Sequence, residues 1–360
     1  MCKAKLRMPL LVALALVAWP VVTPAQATGH WVKGTKFAPL SEPAEEYWSA
    51  TANGKFYLFG GSPVRTGDKA VLPGRVIEYD PATDKFNSKK QMPRPSEHMT
   101  LAEAGGKIYL FGGLSTEHPG ETTPGNFYLK DSWQYDPAND SWKAVAPMPE
   151  PRQAGAAVEV GGKIYVIGGD SLVSGAPNPP KPDDIIVVGT NEVYDPATNE
   201  WATKRAMPTP RNHEAIGAVA GKIYVIGGRI TNANVGNMVS SGVDSVEEYD
   251  PATDRWRALN KMPTPRSGVG WGTYQGMIYV LGGESRDYHE DAIMRDMEAF
   301  NPATNEWFRL PPMVTARHGV NVAVLGNRLH AIGGHVAFDG TGEHEADTGV
   351  HEVYEFGSSK

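Results

Sequence analysis

The sequence predicts an all-β repeat fold, a propeller or a solenoid, and three observations carry that expectation. Six times an apolar run ends in a glycine pair: Phe59-Gly60-Gly61, Phe111-Gly112-Gly113, Ile167-Gly168-Gly169, Ile226-Gly227-Gly228, Leu281-Gly282-Gly283 and Ile332-Gly333-Gly334. The pairs recur at a nearly even interval along the chain, of a length that belongs to tandem structural units. Downstream of the first five pairs, two aromatics at one fixed separation flank a turn: Tyr79 and Phe86, Tyr135 and Trp142, Tyr194 and Trp201, Tyr249 and Trp256, Phe300 and Trp307.

Taken in chain order, the segment from Met1 to Ala27 reads as an export signal. Lys3, Lys5 and Arg7 precede an apolar run from Leu10 to Val22, and Ala25-Gln26-Ala27 supplies a small-residue cleavage site. The run is too short to span a bilayer. Cleavage leaves 28–360 as a single propeller and removes Cys2, the sole cysteine. It also takes away three cations and no acid, which makes the formal charge of −7 still more negative. The expected product is exported, periplasmic or secreted, without a disulfide or a thiolate. Its acidity argues against nucleic acid as a partner.

Each repeat then builds two hairpins. Strands a and b are joined by two-residue turns, Asn53-Gly54, Gly105-Gly106, Gly161-Gly162, Ala220-Gly221, Gln275-Gly276 and Gly326-Asn327, which supply the positive φ such turns require. Strands c and d carry the aromatic pair and enclose turns such as Asp250-Pro251-Ala252-Thr253-Asp254, where proline presets φ and the acid bonds the backbone.

The glycine pair, the Tyr and the Trp, repeated over nearly all of residues 31–356, resemble the kelch repeat. The resemblance implies a six-bladed kelch β-propeller: four-stranded antiparallel blades around a channel, with strand a innermost. The ends agree with a closed ring. The sixth copy stops at Val353-Tyr354-Glu355-Phe356, one strand short, while Trp31-Val32 stands ahead of the first copy as a surplus strand d. An N-terminal strand completing the last blade hides both exposed edges.

Alternation places the short a–b and c–d turns on one rim and the b–c and d–a loops on the other. The b–c loops are long, unequal in length and share no sequence, and variable loops on a rigid frame are where binding resides. The d–a loops bring Met-Pro-x-Pro-Arg, or a near relative, to strand a with Arg152, Arg211, Arg266 and Arg317; Ser96 and Ala44 replace arginine in copies two and one. With strand a lining the channel, these arginines are expected to crown its mouth and, as matching arginines do in kelch relatives, to grip an anionic small molecule or acidic peptide. The plainer alternative pairs them with acids such as Glu97, Glu214 or Glu284. Beside them stand His98, His213-Glu214 and His318, and directly after the glycine pairs come Asp170, Arg229, Glu284 and His335, a mixture equipped for ligand contact or proton transfer.

Other kelch chemistries are narrower. The galactose-oxidase type needs a cysteine cross-linked to tyrosine, which the mature chain lacks. The plant nitrile-specifier type is associated with iron at a Glu-x3-Asp-x3-His pattern. Glu343, Asp347 and His351 reproduce that spacing, displaced from the glycine pair, and Glu284, Asp287, His289, Glu290 and Asp291 form a second acidic cluster. Neither is strong enough to predict a metal, and no cofactor is expected. By fold alone the chain is also similar to bacterial sialic acid mutarotases, which makes a carbohydrate isomerase the alternative to a binding module. In that reading Arg211 or Arg317 anchors the substrate and Glu284, His213 or His318 carries the proton.

Overall fold

The computed structural model describes residues 28–44, 47–66, 69–116, 125–230, 242–286, 291–336 and 347–357; the expected leader lies outside them. Six four-stranded antiparallel sheets follow the repeat. Blade 1 is Tyr47–Ala52, Lys55–Gly60, Arg75–Asp80 and Lys85–Ser88; blade 2 is Thr100–Ala104, Lys107–Phe111, Ser132–Asp136 and Ser141–Ala144. Blade 3 is Ala156–Val160, Lys163–Ile167, Asn191–Asp195 and Glu200–Lys204; blade 4 is Ala215–Val219, Lys222–Ile226, Val246–Asp250 and Arg255–Ala258. Blade 5 is Gly270–Tyr274, Met277–Leu281, Met297–Asn301 and Glu306–Leu310. Blade 6 takes Asn321–Leu325, Arg328–Ile332 and His351–Phe356 from the end of the chain and Gly29–Trp31 from its beginning.

That last sheet closes the ring. Gly29 pairs with Phe356 and Trp31 with Tyr354, antiparallel. Each innermost strand packs on the next, and the strand of blade 1 packs on that of blade 6 as well as on that of blade 2.

The aromatic repeat is what fastens blade to blade. Within a blade the two rings lie against each other, with centroids 4.8 Å apart for Tyr135 and Trp142 and 5.1 Å for Phe300 and Trp307. Each indole then donates to a carbonyl just past strand d of the preceding blade: Trp142 to Lys90, Trp201 to Ala146, Trp256 to Arg205 and Trp307 to Asn260. Trp31 makes the same bond to Pro311 O, 2.8 Å, so the N-terminal strand supplies blade 6 with its copy of the clamp. The acid or amide that ends each c–d turn works beside it. Asp140 accepts from Lys90 N, Asn199 from Ala146 N and Asp254 from Arg205 N, and Asp84 accepts from Ala38 N to tie the strap between blades 6 and 1.

The glycine pairs serve the seam between blades, where backbones approach most closely. The N–H of Gly113, Gly169, Gly228 and Gly283 donates to the carbonyl of Arg152, Arg211, Arg266 and Arg317 of the following blade, at 2.8–3.0 Å. The preceding glycine of such a pair, Gly112 at φ +62°, has that same Arg152 carbonyl where a Cβ would stand, so only glycine fits. The apolar core lies in these seams: Tyr109 and Phe111 of blade 2 pack with Ile164, Val166 and Tyr194 of blade 3, and the other seams repeat the arrangement.

Candidate functional site

Strand a lines a central cavity of ≈ 670 Å³, and the b–c and d–a loops meet at one of its mouths. Short bridges join the two loop types there: Gln153 pairs with Asp170, Asn212 with Arg229, Ser267 with Glu284 and His318 with His335. The residue that follows in the d–a loop is left-handed in five blades: His98 (φ 53°), Ala154 (53°), His213 (55°), Gly268 (60°) and Gly319 (57°). Their backbones form a collar. Ala154 N donates to His98 O, His213 N to Ala154 O, Gly268 N to His213 O and Gly319 N to Gly268 O. Blade 1 contributes Trp48 instead, whose indole lies 6.0 Å from the His98 ring and 6.3 Å from the His213 ring, centroid to centroid, while the two imidazoles stand edge to face at 5.3 Å.

The expected crown of guanidinium groups is corrected by this geometry. Arg152, Arg211, Arg266 and Arg317 come to the right rim, but they are 1 %, 0 %, 0 % and 0 % exposed and none lines the cavity. Each turns outward into its own blade and pairs with a glutamate of strand c: Arg152 with Glu192 at 2.5 Å, Arg211 with Glu247 at 2.5 Å, Arg266 with Glu298 at 2.7 Å and Arg317 with Glu352 at 2.5 Å. Remaining donors reach carbonyls, for example Arg317 to Gly333 and Val350. These are frame residues, and the partners are not Glu97, Glu214 or Glu284.

The sequence carries a signal for the true partners. Glutamate stands two positions before the strand c aromatic in the four copies that carry the arginine, and Ile77 and Trp133 stand there in the two that do not. A buried pair must be kept or lost together, because either charge alone is costly.

What remains at the mouth is an acidic network with a single guanidinium among the described residues that line the cavity. Carboxyls at this mouth come from Glu97, Asp170, Glu214 and Glu284, and Arg229 is the one arginine, while Glu103 and Glu159 line the cavity at its other end, where they accept from Gly106 N and Gly162 N of the a–b turns. Arg229 is already engaged: it donates to Glu284 Oε1 at 2.8 Å and to Asn212 Oδ1 at 2.9 Å. Asn212 donates in turn to Asp170 Oδ1, whose other oxygen accepts from Gln153. His213 Nδ1 lies 2.7 Å from Asn212 Oδ1 and its Nε2 lies 3.3 Å from Arg229. Desolvation, the Arg229 charge and the neighbouring imidazoles hold His213 well below its ordinary value, so it is neutral. Burial pushes Asp170 up to about 7 against the opposing pull of Arg229 and its two amide donors. Burial likewise raises Glu214 to about 8. His318 lines the cavity; His335, behind it, bonds Asp347 at 2.9 Å.

The metal candidates come apart. Asp347 serves His335, whereas His351 donates from Nδ1 to Ala38 O and meets His330 Nδ1 with its Nε2, and Glu343 lies outside the described residues. In the blade 5 cluster Glu284 is committed to Arg229, and Asp287, His289 and Glu290 fall outside the described residues. No group of three His, Cys, Asp or Glu among the described residues is placed to hold a metal ion. Among them, too, no helix is long and apolar enough to cross a membrane.

Sequence reasoning missed Trp48 and the collar, and it named Glu214 as an alternative partner for arginine and, beside His213, as one of the mixed acids and imidazoles of the mouth. Glu214 has the clearest signal of the three: the matching positions hold Tyr47, Met99, Gly155, Val269 and Val320, so the carboxyl there is the one charged side chain in its column.

Comparison with known proteins agrees with the architecture. Kelch-motif models match residues 98–149 and 151–208, and a model described as the KLHDC2/KLHL20/DRC7 Kelch-repeats domain matches residues 184–334. Kelch-like protein terF of Aspergillus terreus is 29% identical over 303 residues, covering 83% of this chain and 62% of that protein. Kelch-like protein 25 of Xenopus tropicalis is 25% identical, covering 75% and 42%, and beta-scruin of Limulus polyphemus is 26% identical, covering 63% and 23%. The chain thus spans between about a quarter and three fifths of the length of these relatives. The solved structure of YjhT superposes with a TM-score of 0.68 at 17% identity, over 88% of this chain and 96% of that one, which speaks for the fold alone. With kelch models running end to end along residues 98–334 and six blades built on the glycine pairs and aromatic clamps, the chain belongs to the kelch-repeat family.

Proposed function

We propose that this kelch propeller is an exported binding module whose site is the collar-bearing mouth, and that the site takes a cationic group, presented by a small amine or by a basic protein segment. The supporting observation is the charge balance at that mouth, four carboxyls against one guanidinium that is itself paired. An anion entering there meets no unpaired arginine among the described lining residues and several carboxyls, whereas a cation gains from each carboxyl that is ionised or ionises on binding and from the face of Trp48. This reverses the sign of ligand expected from the four arginines. Export rests on the leader-like segment from Met1 to Ala27.

Thermal-shift measurement on the mature protein tests the reading with agmatine set against N-acetylneuraminate, galacturonate, succinate and glucose. Stabilisation by agmatine alone supports it. Stabilisation by the carboxylates and not by agmatine overturns it and restores an anionic ligand.

One observation favours a second reading, an isomerase moving protons on a sugar: Asp170 and Glu214 both hold protons near neutrality in one cavity, as acid–base pairs do. Anomer exchange of N-acetylneuraminate, followed by NMR, tests it. A rate equal to that of buffer removes it.

A further inference from the structure

Glu214 is the residue of the mouth whose presence the frame does not explain. Its position packs on the glycine pair of its own blade and is filled elsewhere by Tyr47, Met99, Gly155, Val269 and Val320. The side chain is 1 % exposed and lines the cavity. Among the described residues neither carboxyl oxygen accepts a hydrogen bond from another residue. A buried carboxyl with no donor beyond its own backbone N–H is costly to folding, so its retention calls for a use. The residue before it, His213, is left-handed like its counterparts His98, Ala154, Gly268 and Gly319, so the collar conformation belongs to the frame and does not account for the carboxyl that follows. A buried carboxyl that departs from the repeat at the cavity wall marks a functional position.

We propose that Glu214 is the proton-coupled element of cation recognition: it is a neutral acid in the empty mouth and ionises when a cation binds, so that binding expels a proton and tightens as pH rises. The proposal rests on the reading of the mouth as a cation site and specifies how that site is regulated. The charged groups around Glu214 set the balance. Arg211 of its own loop and Arg152 of the preceding loop favour the ionised form, Asp170 opposes it, and desolvation outweighs them all. An added cation on the channel side of His213 supplies the missing opposite charge in a site of low dielectric. No contact between ligand and Glu214 is required; it acts through the field, as a positioning residue.

Calorimetry of agmatine with the mature protein, in two buffers of different ionisation enthalpy and from about pH 6 to about pH 8, is the test. Both charges of agmatine persist over that range, so any proton released is the protein's. The expected result is proton release at about pH 7 and a Kd at least ~10-fold lower at pH 8 than at pH 6. Glu214→Gln, isosteric with the neutral acid, is expected to bind with that dependence flattened. Agmatine binding to the wild-type protein with no proton release and a level pH profile overturns the coupling and leaves the cation site standing. If agmatine does not bind at all, both fall, but a carboxyl NMR titration of the free protein still separates them. A Glu214 resonance titrating near pH 8 and absent from Glu214→Gln keeps the proton-holding role, and one titrating in the ordinary carboxylate range removes it.

Discussion

Blades 4 and 5 show how one frame is given two different mouths. Both enter strand a through Met-Pro-Thr-Pro-Arg. In both, the arginine pairs with the strand c glutamate and with the carbonyl of its own loop threonine, and that threonine hydroxyl donates to the glutamate's other oxygen: Arg211, Thr209 and Glu247 in blade 4, Arg266, Thr264 and Glu298 in blade 5. Even the second guanidinium nitrogen has the same target, Val225 O in one and Val280 O in the other. The three residues that follow are Asn212-His213-Glu214 in blade 4 and Ser267-Gly268-Val269 in blade 5. The first set puts a neutral imidazole on the collar and a proton-holding carboxyl beneath it; the second leaves glycine on the collar and valine in the seam. The lesson is that the conspicuous arginines belong to the frame, and that the informative residues are those which differ between equivalent blades.

The largest expected effect tests the frame. Arg266→Met strands Glu298, which is 1 % exposed, and should lower the stability measured by denaturant unfolding by about 3–5 kcal/mol. Adding Glu298→Ile, the residue blade 1 uses as Ile77, should recover most of that loss, because both charges then leave together. A double variant no more stable than the single one breaks the idea of a self-contained pair.

Next comes the mouth. Glu214→Val, copying blade 5, should raise stability at neutral pH by about 1–3 kcal/mol. The sign of the pH dependence follows from the raised carboxyls. A native value of about 8 for Glu214 and about 7 for Asp170 means that the folded protein holds protons the unfolded chain has lost. Their contribution to stability is therefore present at low pH and lost as pH rises from the ordinary carboxylate range, about 4, through those values. In Glu214→Val the fall should be shallower, which unfolding curves at a series of pH values read directly.

The seam between blades 6 and 1 responds in the opposite sense. His330 stands where the other blades have tyrosine, as at Tyr279, and meets His351 at 2.9 Å, with Tyr79, Phe37 and Phe86 around the pair. Burial holds these imidazoles down to about 3 and about 4. Their contribution is present above the ordinary imidazole value, about 6.5, and is lost as pH falls towards those lower values. His330→Tyr should remove part of the acid sensitivity, with a higher melting temperature than wild type at about pH 5 and little change at about pH 8.

The smallest effect is at the collar. His213→Gly, copying blade 5 again, relieves a left-handed side chain and should gain about 1 kcal/mol in stability while weakening agmatine binding. A loss of stability would show that the imidazole's bonds to Asn212 and Arg229 outweigh the strain.

Most of the frame was legible in the sequence, and for a definite reason. Hairpin turns such as Gly161-Gly162, the fixed spacing of Tyr249 and Trp256, and the surplus strand at Trp31 are short-range or repeated signals, and copy after copy repeats the same message. The site was legible only in part: Asp170, Glu284, His213 and His318 line the cavity, but the arginines beside them, read as facing the ligand, turn into their own blades. Direction was the missing information. Whether a guanidinium points to the channel or into its own blade depends on a glutamate 32–40 residues away, and repeats of one loop motif look alike whichever way it turns.

The chain by itself thus determined the period, the strand order, the clamps and the closure, because backbone turns and aromatic spacing act over short stretches and are insensitive to what lies across the ring. The charge of the mouth was decided only when the blades came together. Asp170 meets Asn212 from 42 residues away and Arg229 meets Glu284 from 55, and it is burial at that junction, a property of no single segment, that leaves Glu214 and Asp170 holding their protons.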